Sequence, residues 1–257
     1  MIVVADIGNS RVHIGFYRDG NKITSMHCSS LARTEDEWVM MTEHFCARNG
    51  LRPEEAEGSV IGSVVPSLTG AVTRAFTRLF SARSPLIVGH GIRTGLDIRT
   101  DRQSELGADI VANAIAARAK FQPPFIIADF GTATTFSAVD GEDRFRGVSI
   151  FPGLTGAAQN LRETCAYLPE VPLLAPRELL GKNTEDAVSG GLINGFAALA
   201  EGMMDRIAEE YGFSDPVRIV CGGAAPAVLS ACKAPVQYLP DLTLDGLARL
   251  YEINRKK

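Results

Sequence analysis

Three aspartates stand where their neighbours suit phosphate chemistry. In MIVVADIGNSR an apolar run ends on Asp6, Gly8 follows two residues on, and Asn9, Ser10 and Arg11 come behind it. In FIIADFGTATT a second run ends on Asp129, with Gly131 and Thr132 after it. Glycine lets a ligand approach the backbone and adopts torsions that other residues resist. Ser10 and Thr132 carry hydroxyl donors, and exposed N–H groups in such a turn can form an anion nest. A carboxylate repels phosphate, so its use there is to hold or hydrate a cation that bridges to phosphate. One DxG is usually just a turn. Two of them, each opening a β-rich half, are either a pair of turns or two parts of one phosphate site.

Three further stretches bear on the same question. VRIVCGGAAP runs an apolar strand into Gly222 and Gly223 and then an Ala-rich helix. That is either a tight packed turn or a place where a nucleotide reaches the main chain. ELGAD sets Asp109 in the first turn of a predicted helix, with Gly107 and Ala108 leaving room beside it. The acid either complements the helix dipole or accepts the proton of an alcohol as it is phosphorylated. GKNT offers Asn183 or Thr184 as the cap of a long helix, and a cap can also lend its side chain to a ligand.

The elements that must position these residues follow from hydrophobic period and turn chemistry. Strands are expected at Ile2–Ala5, Val12–Tyr17, Lys22–Cys28, Ser59–Val65 and Pro85–Val88, with helices at Glu35–Asn49 and Leu68–Phe80. A helix at Glu105–Lys120 leads to strands at Phe125–Ala128, Thr134–Val139 and Arg144–Ile150. Helices at 153–165 and 184–211, a strand at 217–221, and helices near 225–231 and 242–253 complete the chain. The order β-β-β-α-β opens the first half and its strands recur in the second, which suggests a duplicated mixed unit. Within 184–211, Ser189-Gly190-Gly191 and Gly195 weaken a helix by about 1 kcal/mol per glycine, which suits close packing on another backbone such as a partner subunit's.

Composition narrows the classes. The chain has 257 residues, 46% of them hydrophobic and 22% charged, enough for one large or two small globular domains. A net charge of -4, with no basic stripe, argues against nucleic acid and acidic membrane as partners. Five cysteines form no CxxC pair, and four scattered histidines offer no zinc-site spacing. His13 and His90 read as packing or surface residues. With no signal peptide and no apolar run long enough to span a bilayer, a cytoplasmic location is expected. No GxxxxGK[ST] is present, so phosphate binding does not rest on a P-loop.

Taken together, DIGNS at 6–10, SVVP at 63–66, ELGAD at 105–109, DFGTATT at 129–135, FPG at 151–153, GKNT at 181–184, CGG at 221–223 and LTLDGLARLYE at 242–252 resemble the type III pantothenate kinases. Those belong to the sugar kinase, heat-shock ATPase and actin superfamily. The resemblance implies an α/β fold of duplicated ribonuclease H-like, actin-like ATPase domains with mixed central sheets. The expected domains are 1–118, with the first phosphate turn, and 119–257, with the cation site and the other nucleotide turns. It implies a homodimer that transfers the γ-phosphoryl of ATP to pantothenate, the first step of coenzyme A biosynthesis. By the same resemblance Asp6 works with Mg2+ and the phosphates, within an ATP-binding segment of Ile7, Gly8, Asn9, Ser10, Arg11, Val12 and His13. Thr132, Gly222 and Gly223 also face the nucleotide. Asp129 holds a monovalent cation, K+ or NH4+, and Asp109 is the general base. Thr100, Gly107, Ala108, Ile110 and Thr184 lie on the substrate side.

The chain departs from the family pattern beside the expected substrate pocket. Ile110 stands for the usual arginine, Thr100 for tyrosine, Gln103 for proline, and Gly147-Val148 for a double glycine. A butyl group cannot replace the bidentate donors of a guanidinium. Arg99, Arg102 or an arginine of another subunit are the available substitutes. The alternative reading is a nucleotide-binding regulatory relative, weakly active or acting on a different small alcohol.

Overall fold

The computed structural model describes residues 1–80, 84–89, 91–174 and 178–255; His90 lies outside them. In chain order the elements are β1 (Ile2–Ile7), β2 (Arg11–Arg18), β3 (Asn21–Ser29), α1 (Glu35–Arg48), β4 (Gly58–Ser63), α2 (Pro66–Leu79), β5 (Leu86–Ile87), β6 (Asp97–Ile98) and α3 (Ala108–Lys120). They continue with β7 (Phe125–Phe130), β8 (Ala133–Val139), β9 (Arg144–Pro152), α4 (Leu154–Thr164), α5 (Thr184–Tyr211), β10 (Val217–Cys221), α6 (Ala225–Leu229), β11 (Gln237–Tyr238) and α7 (Leu242–Asn254). Short 3-10 turns at Pro53–Glu55 and Gln103–Glu105 join them, the second replacing the first turn expected of the helix at 105.

Two compact units result. The first comprises Met1–Leu96, Asp101–Lys120 and Asp241–Lys257, the second Asp97–Thr100 and Phe121–Pro240. This corrects the expected division at 118/119 on two counts. Asp97–Thr100 joins the second unit because β6 pairs in parallel with β9, Asp97 opposite Arg144. The C-terminal helix α7 returns to the first unit because its Leu244, Leu247 and Leu250 share a core with Val111, Ala112 and Ile115 of α3.

The first unit's sheet has the order β3-β2-β1-β4-β5, and the second's has β11-β10-β7-β8-β9-β6. In each, a three-strand antiparallel meander is followed by parallel strands on the far side of its first strand. The duplication expected from the sequence is therefore real at the level of topology. Strand β1 shows why its sequence is apolar throughout. Val3, Ala5 and Ile7 pack into a core with Trp38, Leu68 and Phe76, whereas Ile2 and Val4 pack on the other face with Val111, Leu244 and Leu247. A strand covered on both faces needs a continuous apolar run. By its period of two, Asp6 continues the Ile2–Val4 face, the side on which α3 and α7 lie.

In the second unit, Phe130, Phe136 and Ala138 form a core with Leu154 of α4, Phe196, Ala200 and Met204 of α5, and Val228 of α6. Asn183 caps α5, its side-chain oxygen accepting the Asp186 N–H at 2.8 Å, and Gly212 closes it in the left-handed conformation with φ 64°. That resolves the choice of cap in favour of Asn183.

Candidate active site

In the first unit the phosphate turn is a tight hairpin. The Gly8 N–H donates to the Arg11 carbonyl at 3.0 Å, and Ser30 secures the turn by donating its hydroxyl to the Gly8 carbonyl at 2.5 Å. The Gly8 amide is therefore engaged within the turn, and Asn9, Ser10 and Arg11 are its exposed part. Ile7 and Val12 have side chains fully buried in the core, so they can face a ligand only through their backbones.

Asp6, His13 and His27 form a row across β1, β2 and β3, because Asp6 pairs with His13 and His13 with His27. The two imidazoles stack with centroids 3.7 Å apart. Burial first, and His27 second, push the His13 pKa down to about 4, so its ring is neutral at pH 7. It adds no positive charge for phosphate.

On the other side, Asp6 pairs with Gly62 of β4. A Cβ built on Gly62 would come within 3.4 Å of the Ala108 Cβ and 2.7 Å of Leu247. The bare backbone of Gly62 is thus what lets α3 begin close to the sheet, at the strand position beside Asp6. Asp109 follows Ala108 directly. Its Oδ1 accepts the Ile110 N–H at 2.9 Å, and a Cβ on Gly107 would fall 2.4 Å from that same oxygen. Gly107 therefore keeps the carboxylate uncrowded, as ELGAD suggested. Burial pushes the Asp109 pKa above the ordinary carboxylate value, with the Ile110 N–H acting the other way. Ile110 itself is only 8% exposed.

In the second unit two glycines, Gly222 and Gly153, enclose the DFGT turn. Cys221 pairs with Asp129 across β10 and β7, and the next residue, Gly222, takes φ +94°. Its added Cβ would fall 2.5 Å from Asp129 Oδ1 and 2.5 Å from the Phe130 carbonyl carbon. The Ala224 N–H then donates to the Phe130 carbonyl at 3.0 Å, fastening the CGG turn to the Asp129 turn. From the β9 side, a Cβ on Gly153 would lie 2.7 Å from the Gly131 carbonyl oxygen and closer still to that of Thr132. Asp129, Gly131, Thr132, Gly222 and Gly223 are brought together as expected. Gly62 and Gly153 were absent from the expected site; the signal was a glycine beside a motif, which does not reveal its spatial neighbour.

The remaining substrate-side residues scatter within the second unit. Thr100 follows β6 at the sheet edge, three strands from β7, with its hydroxyl buried and unpartnered. Thr184 lies exposed at the start of α5, lining a groove of ≈ 770 Å³ with Leu161, Leu168, Lys182 and Leu192. Arg99 pairs with Asp97 at 2.6 Å and Arg102 with Glu105 at 2.8 Å, so both substitutes considered for the missing arginine are engaged with neighbouring acids. Gly147 adopts φ +143°, so the surviving glycine of the former pair is the one whose torsion requires it.

A family model described as type III pantothenate kinase matches residues 2–206. The chain is 35% identical over 257 residues to a type III pantothenate kinase of Exiguobacterium sibiricum, covering 99% of this chain and 100% of that protein. Among solved structures it resembles the activator of 2-hydroxyisocaproyl-CoA dehydratase from Clostridium difficile with bound ADPNP, at TM-score 0.58 and 13% identity, covering 98% of this chain and 94% of that one. It also resembles a ROK family glucokinase from Streptomyces griseus in complex with glucose and AMPPNP, at TM-score 0.50 and 15% identity, covering 97% and 98%. The likeness to these structures concerns the fold.

Proposed function

The chain belongs to the type III pantothenate kinase family, and on that premise we propose that it transfers the γ-phosphoryl of ATP to the primary hydroxyl of pantothenate. The product, 4'-phosphopantothenate, opens coenzyme A biosynthesis. The observation that carries the reading is the seat of α3: Ala108 rests over Gly62, the partner of Asp6, so a half-buried carboxylate begins beside the strand position that ends in the phosphate turn. Asp109 accepts the hydroxyl proton as the oxygen bonds to the γ-phosphorus and the bond to the β,γ-bridging oxygen breaks, releasing ADP, and its raised pKa makes it a better acceptor than an exposed carboxylate. Its first-turn place on α3 orients it, while the turn around Asn9, Ser10 and Arg11 aligns the phosphates.

Among the described residues no group of three or more His, Cys, Asp or Glu side chains is placed to hold a metal ion. So sparse a donor set fits Mg2+, which binds through one or two carboxylates with water and substrate phosphates. Asp6 would hold it. Asp129 would hold the monovalent cation, K+ or NH4+, in the space that a side chain on Gly222 would fill. These ions supply charge stabilisation on the transferring group. Thr132, Gly222 and Gly223 would line the nucleotide, and Thr100, Gly107, Ala108, Ile110 and Thr184 the acceptor.

The protein would act as a cytoplasmic homodimer, with no nucleic acid or membrane partner. No helix among the described residues is long and apolar enough to cross a membrane. Support for the dimer comes from α5: an added Cβ at Gly191 or Gly195 would meet nothing within 4 Å, so the chain's own packing does not call for these glycines. Exposed Leu174, Leu179 and Leu180 lie in the segment before that helix. Light scattering on the purified protein measures the assembly.

A second reading, a different small-alcohol acceptor or a weakly active nucleotide-binding regulator, is favoured by one observation. Ile110 is nearly buried, and neither Arg99 nor Arg102 stands unpaired to replace the missing guanidinium. Mass spectrometry of the product, with ATP, Mg2+ and K+ present, decides between them. Phosphopantothenate formed by the parent and lost in Asp109→Asn supports the kinase. Its absence from folded, ATP-binding protein transfers the assignment to the second reading.

A further inference from the structure

One polar pair, a buried amide and a half-buried hydroxyl, has no part in the chemistry above. Asn113 is 2% exposed and lies one helical turn beyond Asp109, on the same face of α3. Its Oδ1 accepts the hydroxyl of Thr243, in the first turn of α7, at 2.8 Å. Beside it the two backbones touch: a Cβ on Gly246 of α7 would fall only 1.9 Å from the Ala112 carbonyl oxygen. The hydrogen bond and the glycine seat act on consecutive residues of α3, which point in directions about 100° apart around its axis. Together they restrict both rotation and sliding of the helix. The apolar contacts of Leu244 and Leu247 with Val111 and Ile115 supply attraction but little register, because smooth apolar surfaces tolerate small displacements. A directional hydrogen bond to a buried amide does not.

We propose that Thr243 and Asn113 are positioning residues for the Asp109 carboxylate, the α7 hydroxyl setting the rotation of α3 that aims this group. The inference rests on Asp109 being the proton acceptor. It gives α7 a role in the chemistry through the helix it packs against.

The test uses the full chain in four forms: the parent, Thr243→Val, Thr243→Ser and Asp109→Asn. Valine keeps the shape and removes the hydroxyl; serine keeps the hydroxyl. Turnover is measured per folded site, well below each melting temperature, together with amide hydrogen exchange across 109–113. Thr243→Val is expected to lose kcat by about tenfold to a hundredfold while both KM values stay within about twofold, the pattern of lost alignment. Its first-turn amides exchange faster, and Thr243→Ser restores both readouts. Parental kcat in Thr243→Val overturns the proposal even where its melting temperature falls, as does a loss that serine does not rescue. Parental turnover in Asp109→Asn instead removes the base assignment. Unchanged exchange in Thr243→Val would then overturn the clasp independently of activity.

Discussion

Replacing Gly246 by alanine sets two effects of opposite sign against each other. In a helix interior, Gly→Ala gains about 1 kcal/mol from backbone propensity. At Gly246 the new methyl would lie 1.9 Å from the Ala112 carbonyl oxygen, 2.4 Å from its carbon and 2.8 Å from its Cα. All three are backbone atoms of α3, so no side-chain rotation relieves the contact. Reaching an ordinary carbon–oxygen separation of about 3.3 Å means parting α3 from α7 by over an ångström. A gap of that size removes a quarter to a half of the dispersion attraction along the interface, and overpacking alone costs about 1–3 kcal/mol. With both terms present the strain comes to about 3–4 kcal/mol, leaving a net loss of about 2–3 kcal/mol after the propensity gain. For a chain of this length that lowers the melting temperature by about 4–12 °C, measured by circular dichroism or urea titration. Gly70→Ala is the control. It lies exposed in α2, where an added Cβ meets only the far end of the Arg74 side chain at 3.4 Å, so it should gain about the propensity term. If Gly246→Ala proves as stabilising as Gly70→Ala, the close α3–α7 contact is refuted.

Gly222→Ala forces a side chain into φ +94° against Asp129 and Phe130, so it should lose about 2–3 kcal/mol and weaken binding of an ATP analogue in calorimetry. Parental affinity in a folded variant would remove this turn from the nucleotide site. For Asp109 the sign runs from its raised pKa: the folded state takes up the proton more readily than the unfolded chain, so ionisation is destabilising above the raised value and neutral below the ordinary one. Asp109→Asn should therefore lose turnover yet melt above the parent at pH 7, with the gap closing below about pH 3; a lower melting temperature at pH 7 contradicts this. The parent's turnover should fall on acidification at a higher pH than a free carboxylate's value of about 3.9. His13, held down at about 4, binds fewer protons folded than unfolded, so nucleotide-free protein should lose about 2–3 kcal/mol as pH falls from about 6.5 to 4. His13→Phe should flatten that part of the urea-midpoint profile, and an unchanged slope would show that other groups set it.

The long elements were legible because their own residues specify them. Asn183 and Gly212 bound α5 at 184–211, and the apolar run before Asp129 marks β7. Of the three two-residue strands, β5 lies within the apolar run expected at 85–88, whereas β6 and β11 were missed, since Asp97–Ile98 and Gln237–Tyr238 carry no such run and pair only through a neighbouring strand. The sequence singled out three turns and one helix start as candidate positions. What the sequence did not disclose was which neighbour each glycine would admit: Asp129 and the Phe130 backbone at Gly222, the Thr132 backbone at Gly153, the start of α3 at Gly62. Those neighbours lie far along the chain, and glycine carries no mark of them. The allegiance of α7 was hidden likewise, because its apolar stripe would suit either unit.

The return of α7 also bears on synthesis. A nascent chain completes both three-stranded meanders, and nearly all of the second unit, before the helix at Leu242–Asn254 exists. Until then Val4, Val111 and Ile115 lack Leu244 and Leu247, and the apolar face of α3 stays uncovered. The first unit would thus be completed only after nearly all of the second has been made, its apolar surface open to chaperones while it waits for α7.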